Sequence, residues 1–209
     1  MIADEEAARA FVAARCDGAA IARLDLLVSM LAVENAHQNL IAASSLDTVW
    51  QRHIADSAQL LDYVPRETMD WLDLGTGAGF PGVVIAAMRP GWPLALVESR
   101  RRRVAWLSEI VEALKLPNCK VEGRRLEDVV ARPVSVISAR AFAPLPKLIT
   151  LARRFSTSDT LWLLPKGRSA AQEVAELPKS LKTGFHVEQS ATDADSGIIV
   201  GRIAEGQQR

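Results

Sequence analysis

Trp71-Leu72-Asp73-Leu74-Gly75-Thr76-Gly77-Ala78-Gly79-Phe80-Pro81-Gly82 joins a short apolar run, broken by one acid, to four glycines within eight residues. A strand that feeds such a turn and then a helix lets backbone N–H groups approach a bound cofactor closely. Gly77, Gly79 and Gly82 also satisfy G-x-G-x-x-G, but in a dinucleotide fold the first glycine follows the strand directly, and here the turn begins at Gly75. Asp73 stands at the carboxyl end of the strand, where it would repel a pyrophosphate and attract a cation. S-adenosylmethionine carries a sulfonium and an ammonium group and no phosphate, so this acid-first loop suits it better than NAD.

A second apolar run, Pro93-Leu94-Ala95-Leu96-Val97, ends in Glu98. An acid at this distance from a glycine loop is placed to accept hydrogen bonds from ribose hydroxyls, which NAD and S-adenosylmethionine share. Beyond it, strand and helix patterns alternate: a helix from Gly82 to about Arg89, one opening at Arg100 and ending near Leu116, and strands at 118–122, 134–138 and 160–164. Helices at 145–154 and 169–175 and a closing hairpin of 185–189 with 198–203 complete the pattern. Alternation of this kind predicts a Rossmann-like α/β sheet, mostly parallel, with one antiparallel edge hairpin.

Residues 1–65 show helical periodicity without a strand signal, in segments 4–15, 19–42 and 47–63. Pro65 and the charged pair after it mark the change. The expected organisation is a helical cap, 1–65, on a cofactor-binding domain, 66–209. At 209 residues, 49% of them apolar, the chain can bury a full core. No apolar run approaches the roughly 20 residues of a membrane span, and the first six residues carry three acids and no base where a signal peptide is basic. A cytoplasmic location is expected. Cys16 and Cys119 lack metal-ligand spacing and read as free thiols, with no metal site.

Net charge is zero overall, yet residues 1–99 carry −7, 100–168 carry +9 and 169–209 carry −2. Concentration of positive charge in the middle third fits either a surface for a polyanion or a set of solvated helix faces. Arg100-Arg101-Arg102-Arg103 opens a helix whose apolar stripe is Val104, Leu107, Ile110, Val111 and Leu114, with Trp106 off that stripe. The helix dipole disfavours cations at this end, so stability does not account for the run, whereas contact with phosphate does. In the cap, Trp50-Gln51-Arg52-His53-Ile54-Ala55-Asp56-Ser57 sets Trp50, His53 and Ser57 on one helical face, expected to turn toward the cofactor cleft.

The cap segment Trp50 to Ser57, the loop Asp73 to Gly82 with Phe80-Pro81-Gly82, Glu98-Ser99, Arg125-Leu126-Glu127, Ser138-Ala139-Arg140-Ala141-Phe142-Ala143-Pro144-Leu145 and Lys166-Gly167 occur in this order. Together, from about Asn39 to Gly167, they resemble the RsmG family, also called glucose-inhibited division protein B. The resemblance implies transfer of a methyl group from S-adenosylmethionine to N7 of a guanine in the 530 loop of bacterial 16S ribosomal RNA, leaving S-adenosylhomocysteine. Carried over by position, it implies that Gly75 and Phe80, with Gly77 in the same loop, line the methionine side of the cofactor and that Glu98 meets the ribose. Leu126 and Glu127 would flank the adenine, and Arg140 would lie beside the reactive methyl. Ala139, where many members carry serine, and Pro165, ahead of Lys166, depart from the family pattern. The substrate would be 16S ribosomal RNA, a 30S subunit or an assembly intermediate, and the protein a monomer.

The residues absent from the site agree with that chemistry. Guanine N7 already presents a lone pair, so alignment and electrostatics suffice and no general base is expected. Neither cysteine is placed as a nucleophile for carbon methylation, and Ser138-Ala139-Arg140-Ala141 stands where an adenine amino-methylase would carry an Asn/Asp-Pro-Pro-aromatic element. Arg140 can donate to a guanine O6 or a phosphate, or pair with Glu127 or Asp73. Arg100, Arg101, Arg102, Arg103, Arg124, Lys147 and Lys166 are the expected phosphate contacts. The residues alone leave two rivals: a methyltransferase for a small molecule or protein, and a dinucleotide-binding redox regulator.

Overall fold

The computed structural model of the chain describes residues 1–65, 67 and 69–204. One seven-stranded sheet organises it, built from β1 (Trp71–Leu74), β2 (Leu94–Val97), β3 (Cys119–Glu122), β4 (Val136–Ala139), β5 (Leu161–Lys166), β6 (Phe185–Gln189) and β7 (Gly197–Gly201). Their order is β3-β2-β1-β4-β5-β7-β6. The first five strands are parallel, and β7 runs antiparallel between β5 and β6, as the sequence predicts. Chain connections leave β1 and β4 in opposite directions across the sheet, which opens a crevice at their carboxyl ends.

Neighbouring residues of a strand face opposite sides, and the sheet uses both. Trp71, Leu96, Val136 and Leu163 pack on one side with α4 (Gly82–Met88) and α5 (Arg101–Ala113). Leu72, Leu74, Ile137 and Trp162 pack on the other with α6 (Leu145–Ala152) and α7 (Ala170–Ala175). A short helix, α8 (Lys179–Lys182), precedes β6 and is absent from the sequence reading, because four residues are too few to show a period.

The amino-terminal helices join the first of these layers. α1 (Glu5–Ala13) and α2 (Gly18–Gln38) are capped by Asp4 and Asp17, whose carboxylates accept from Ala7 N and Ala20 N at 2.8 Å. Leu24, Leu27 and Leu31 of α2 are fully buried in the same cluster as Trp71, Ile85 and Leu107. Two segments differ from the sequence reading. α2 stops at Gln38 because Asn39 takes a left-handed conformation (φ 46°), and the Asn35 side chain accepts from Ile41 N beyond it. The expected helix 47–63 divides into a π-helical turn (Trp50–Ala55), a three-residue α3 (Asp56–Ala58) and a 3₁₀ turn (Gln59–Tyr63). Glu5 of α1 holds the π turn in place, accepting from Trp50 N at 2.9 Å and Gln51 N at 2.7 Å.

Trp106 corrects the reading of α5. It is buried, and its indole N–H donates to the Ala78 carbonyl at 3.0 Å, while Val104 and Val111 are half-buried. The buried face of α5 is therefore Trp106, Leu107 and Ile110, turned toward the glycine loop. No helix among the described residues is long and apolar enough to cross a membrane.

Candidate active site

The loop after β1 is held from below and from the side. Thr76 N donates to the Val97 carbonyl at 3.1 Å, which ties the turn to β2. Gly75, Gly77 and Gly79 all have positive φ (64°, 60° and 114°), the conformation that glycine adopts without strain. Gly82 is fixed by space instead: a Cβ there would lie 2.4 Å from Leu96 and 2.7 Å from the Asp73 carboxylate. The Phe142 ring packs directly on Gly75, where a Cβ would come within 2.3 Å of it.

Asp73 has no exposed surface. Its Oδ2 accepts from Gly82 N at 3.0 Å and its Oδ1 from the Ser138 hydroxyl at 2.6 Å. Ser138 in turn accepts from the Trp71 indole N–H at 2.8 Å. This buried chain fastens the glycine loop to β1 and β4. Burial pushes the Asp73 carboxyl up to about 6, against the hydrogen bonds from Ser138 and Gly82 that favour its charged form.

Glu98 follows β2 as the sequence reading requires. Its Oε1 accepts from Ser99 N (2.7 Å) and Arg100 N (2.9 Å) and its Oε2 from Gly77 N (3.2 Å), so strand end and glycine loop share one carboxylate. Leu126 and Glu127 lie on a 3₁₀ turn, Leu126–Asp128, shortly after β3, with Leu126 buried and Glu127 exposed. The Leu126 carbonyl is held by the Arg154 guanidinium.

Arg140, at the end of β4, meets neither Glu127 nor Asp73 in an ion pair. Its partner is Asp56 in the cap, at 3.4 Å, and its Nη2 donates to His53 Nδ1 at 3.0 Å. The guanidinium carbon lies 5.1 Å from the centre of the Phe80 ring, on which the His53 ring also stacks at 4.9 Å and 14°. Asp56 is further bound by the Thr192 hydroxyl at 3.0 Å, so cap, glycine loop, β4 and the turn before β7 converge on one cluster. Burial raises the Asp56 carboxyl and lowers Arg140, each opposed by the other's charge. Of the expected cap face, His53 reaches the site, whereas Trp50 is buried beneath the Arg9 guanidinium, 4.6 Å from its ring centre.

His53, Asp56, Arg140, Phe142 and Lys166 line a cavity of about 960 Å³ at this junction. Lys166, expected to contact phosphate, has partners within the protein: its ammonium donates to Glu173 and to the Ala143 carbonyl, both at 2.9 Å, and is largely buried. Glu173 also accepts from Leu145 N, which draws the lysine inward. Arg124 pairs with Glu122 at 3.2 Å but remains half exposed, and Lys147 is exposed on α6. Arg100, Arg101 and Arg102 are exposed, and Arg103 lies over the glycine loop, with Nη1 3.3 Å from where a Gly77 Cβ would sit. The roles of Asp56, Thr192 and Phe142 escape the sequence reading, because contacts between residues 56, 140 and 192 leave no local pattern.

Residues 20–197 match the model of the family described as rRNA small subunit methyltransferase G. A ribosomal RNA small subunit methyltransferase G of Erythrobacter litoralis is 62% identical over 202 residues, covering 97% of this chain and 98% of its own length. The protein of the same name from Novosphingobium aromaticivorans is 55% identical over 195 residues, with 92% and 84% covered. Among solved structures, a mutant of MtNAS in complex with S-adenosylmethionine (TM-score 0.54, 16% identity, 83% of this chain and 72% of that one) shares the fold. So does an rRNA methylase from Streptococcus thermophilus (TM-score 0.53, 12% identity, 73% and 97%). With family match, relatives and sheet topology in agreement, the chain belongs to the rRNA small subunit methyltransferase G family.

Proposed function

We propose that this rRNA methyltransferase binds S-adenosylmethionine in the crevice at the carboxyl ends of β1, β2 and β4 and methylates N7 of a guanine in the 530 loop of 16S ribosomal RNA. The residues present fit that cofactor: three left-handed glycines bare the loop backbone, and Glu98 offers a carboxylate beside it. When bound, the cofactor supplies an electrophilic methyl group on a sulfonium. The loop Gly75 to Phe80 holds its methionine side, Glu98 its ribose, and Leu126 and Glu127 its adenine.

The observation that carries this reading is the cluster on Phe80. Arg140 and His53 pack on one ring of the cofactor loop and also line the cavity, so groups that contact the cofactor side are continuous with groups that face an acceptor. Attack by N7 needs orientation but no proton removal, and the cluster supplies no ready base: burial beside Arg140 and Arg52 lowers His53 to about 3, and Arg140 holds its Nδ1. Exposed Arg100, Arg101 and Arg102, with Lys147, form the surface for RNA phosphates. Residues 1–65 act as a cap that completes the acceptor cavity, and the substrate is the 30S subunit or an assembly intermediate in the cytoplasm.

Incubation with methyl-labelled S-adenosylmethionine and 30S subunits lacking the modification, then digestion to nucleosides, tests the proposal. Label in N7-methylguanosine is expected. Label in another nucleoside, or none from a protein that binds S-adenosylhomocysteine, would refute the assignment of the acceptor.

A further inference from the structure

Among the described residues, the buried side-chain atoms without a hydrogen-bond partner are His53 Nε2 and Asp70 Oδ1, and only the first belongs to the site. Its chemical form follows from its neighbours. Arg140 Nη2 sits 3.0 Å from His53 Nδ1, and a guanidinium can only donate, so Nδ1 is the acceptor. A neutral imidazole that accepts at Nδ1 carries its proton on Nε2. Burial beside two cations keeps the ring neutral. Nε2–H is therefore a donor, enclosed and without an acceptor, and buried polar groups of folded proteins are seldom left so.

The ring is also held in place. It stacks on Phe80, its own carbonyl accepts from the Ser57 hydroxyl at 2.6 Å, and it sits on the π-helical turn anchored by Glu5. It lines the cavity assigned to the acceptor, with its Nε2 covered by neighbouring protein atoms, so an incoming base meets that atom only as a lining side chain gives way. Guanine presents two acceptors on one edge, N7 and O6, whereas adenine presents N7 beside an amino donor. A donor whose tautomer is fixed by Arg140 can satisfy O6 and leave the N7 lone pair free, but it meets the adenine amino group as a like donor.

We propose that His53 selects the target base, its Nε2–H donating to the C6 oxygen of the guanine whose N7 receives the methyl group. This rests on the function proposed above. Specificity built on a hydrogen bond is sharp because the wrong base leaves the buried group unpaired.

The test pairs a change in the protein with a change in the base. 30S particles are reconstituted with 16S RNA carrying either guanosine or 2-aminopurine ribonucleoside at the target, the latter keeping N7 and lacking O6. The unmodified protein should lose about 10- to 100-fold in kcat/KM when O6 is removed, the range that one base contact supplies. His53→Phe, which keeps the stack on Phe80 without the donor, should be slowed to a similar degree on guanosine. It should lose less than about threefold further on 2-aminopurine, and bind S-adenosylhomocysteine as before. His53→Gln, which can still accept from Arg140 and donate from its amide, should retain sensitivity to O6. The proposal fails if the unmodified protein is indifferent to O6, a result that does not depend on any variant folding. It also fails if His53→Phe loses as much on 2-aminopurine as the unmodified protein does. Absence of N7-methylguanosine from unmodified protein on guanosine particles sinks the functional reading itself, whereas labelled guanosine with kinetics blind to O6 sinks the role of His53 alone.

Discussion

Asp73 is a carboxyl group with no exposed surface, and the stability of the protein should report its titration. Its pKa rises from 3.8 in the unfolded chain to about 6 in the fold, so between those values the folded state binds the extra proton. The corresponding stability is complete below about pH 4 and is lost as pH rises through about 6, roughly 3 kcal/mol over the interval. Asp73→Asn, which has nothing to titrate, should be least stable relative to the parent near pH 4, and the gap should narrow by about that amount by pH 7. Urea denaturation of both proteins at several pH values reads the difference, and a constant gap would show that Asp73 does not titrate in this range. Steric limits act at the same scale. Gly82→Ala should cost about 1–3 kcal/mol, because the added methyl must displace Leu96 and the Asp73 carboxylate. A fall in Tm measures that cost, and an unchanged Tm would mean that the start of α4 shifts freely.

At the scale of elements, α5 serves two surfaces with opposite demands. Its inner face packs Trp106, Leu107 and Ile110, and its amino end exposes Arg100, Arg101 and Arg102, where the helix dipole gives them no benefit. Replacing these three by Gln should leave Tm unchanged or slightly raised. It should also reduce the slope of log binding constant for RNA against log salt by about 2–3, since each phosphate contact contributes somewhat under one unit. Filter binding across a salt series checks this, and an unchanged slope would move the RNA surface elsewhere. β1, β2 and the glycine loop are legible in the sequence because apolar runs and glycines are local signals. Trp106 is not, because its burial comes from the Ala78 carbonyl across the loop rather than from the period of its own helix. The π turn at Trp50–Ala55 is equally hidden, since its extra residue is held by Glu5, 45 residues away.

Across the whole molecule, charge pattern is a poor guide to which cations are free. Lys166 and Arg124 both count toward the basic middle third, yet each has an acidic partner, Glu173 and Glu122. Arg140 likewise finds Asp56, on an element that the sequence reading sets apart as a cap. That separation is weaker in three dimensions than in sequence: Leu24, Leu27 and Leu31 of α2 share one buried cluster with α4, α5 and one face of the sheet. Gln59 reinforces the join, its amide oxygen accepting from Ala191 N at 2.8 Å and its amide N–H donating to Ser190 at 3.3 Å. Burial of this kind couples the stability of both parts, because unfolding the cap would expose an apolar layer of the sheet to water. Tryptophan fluorescence and far-ultraviolet circular dichroism should therefore follow the same urea transition, with one midpoint. Leu27→Ala, deep in the shared layer, should move both curves together by an amount corresponding to about 2–5 kcal/mol. Two separated transitions, with only the first moved by Leu27→Ala, would show instead that residues 1–65 fold as a unit of their own, and the cavity lined by His53, Asp56 and Arg140 would then have a detachable wall.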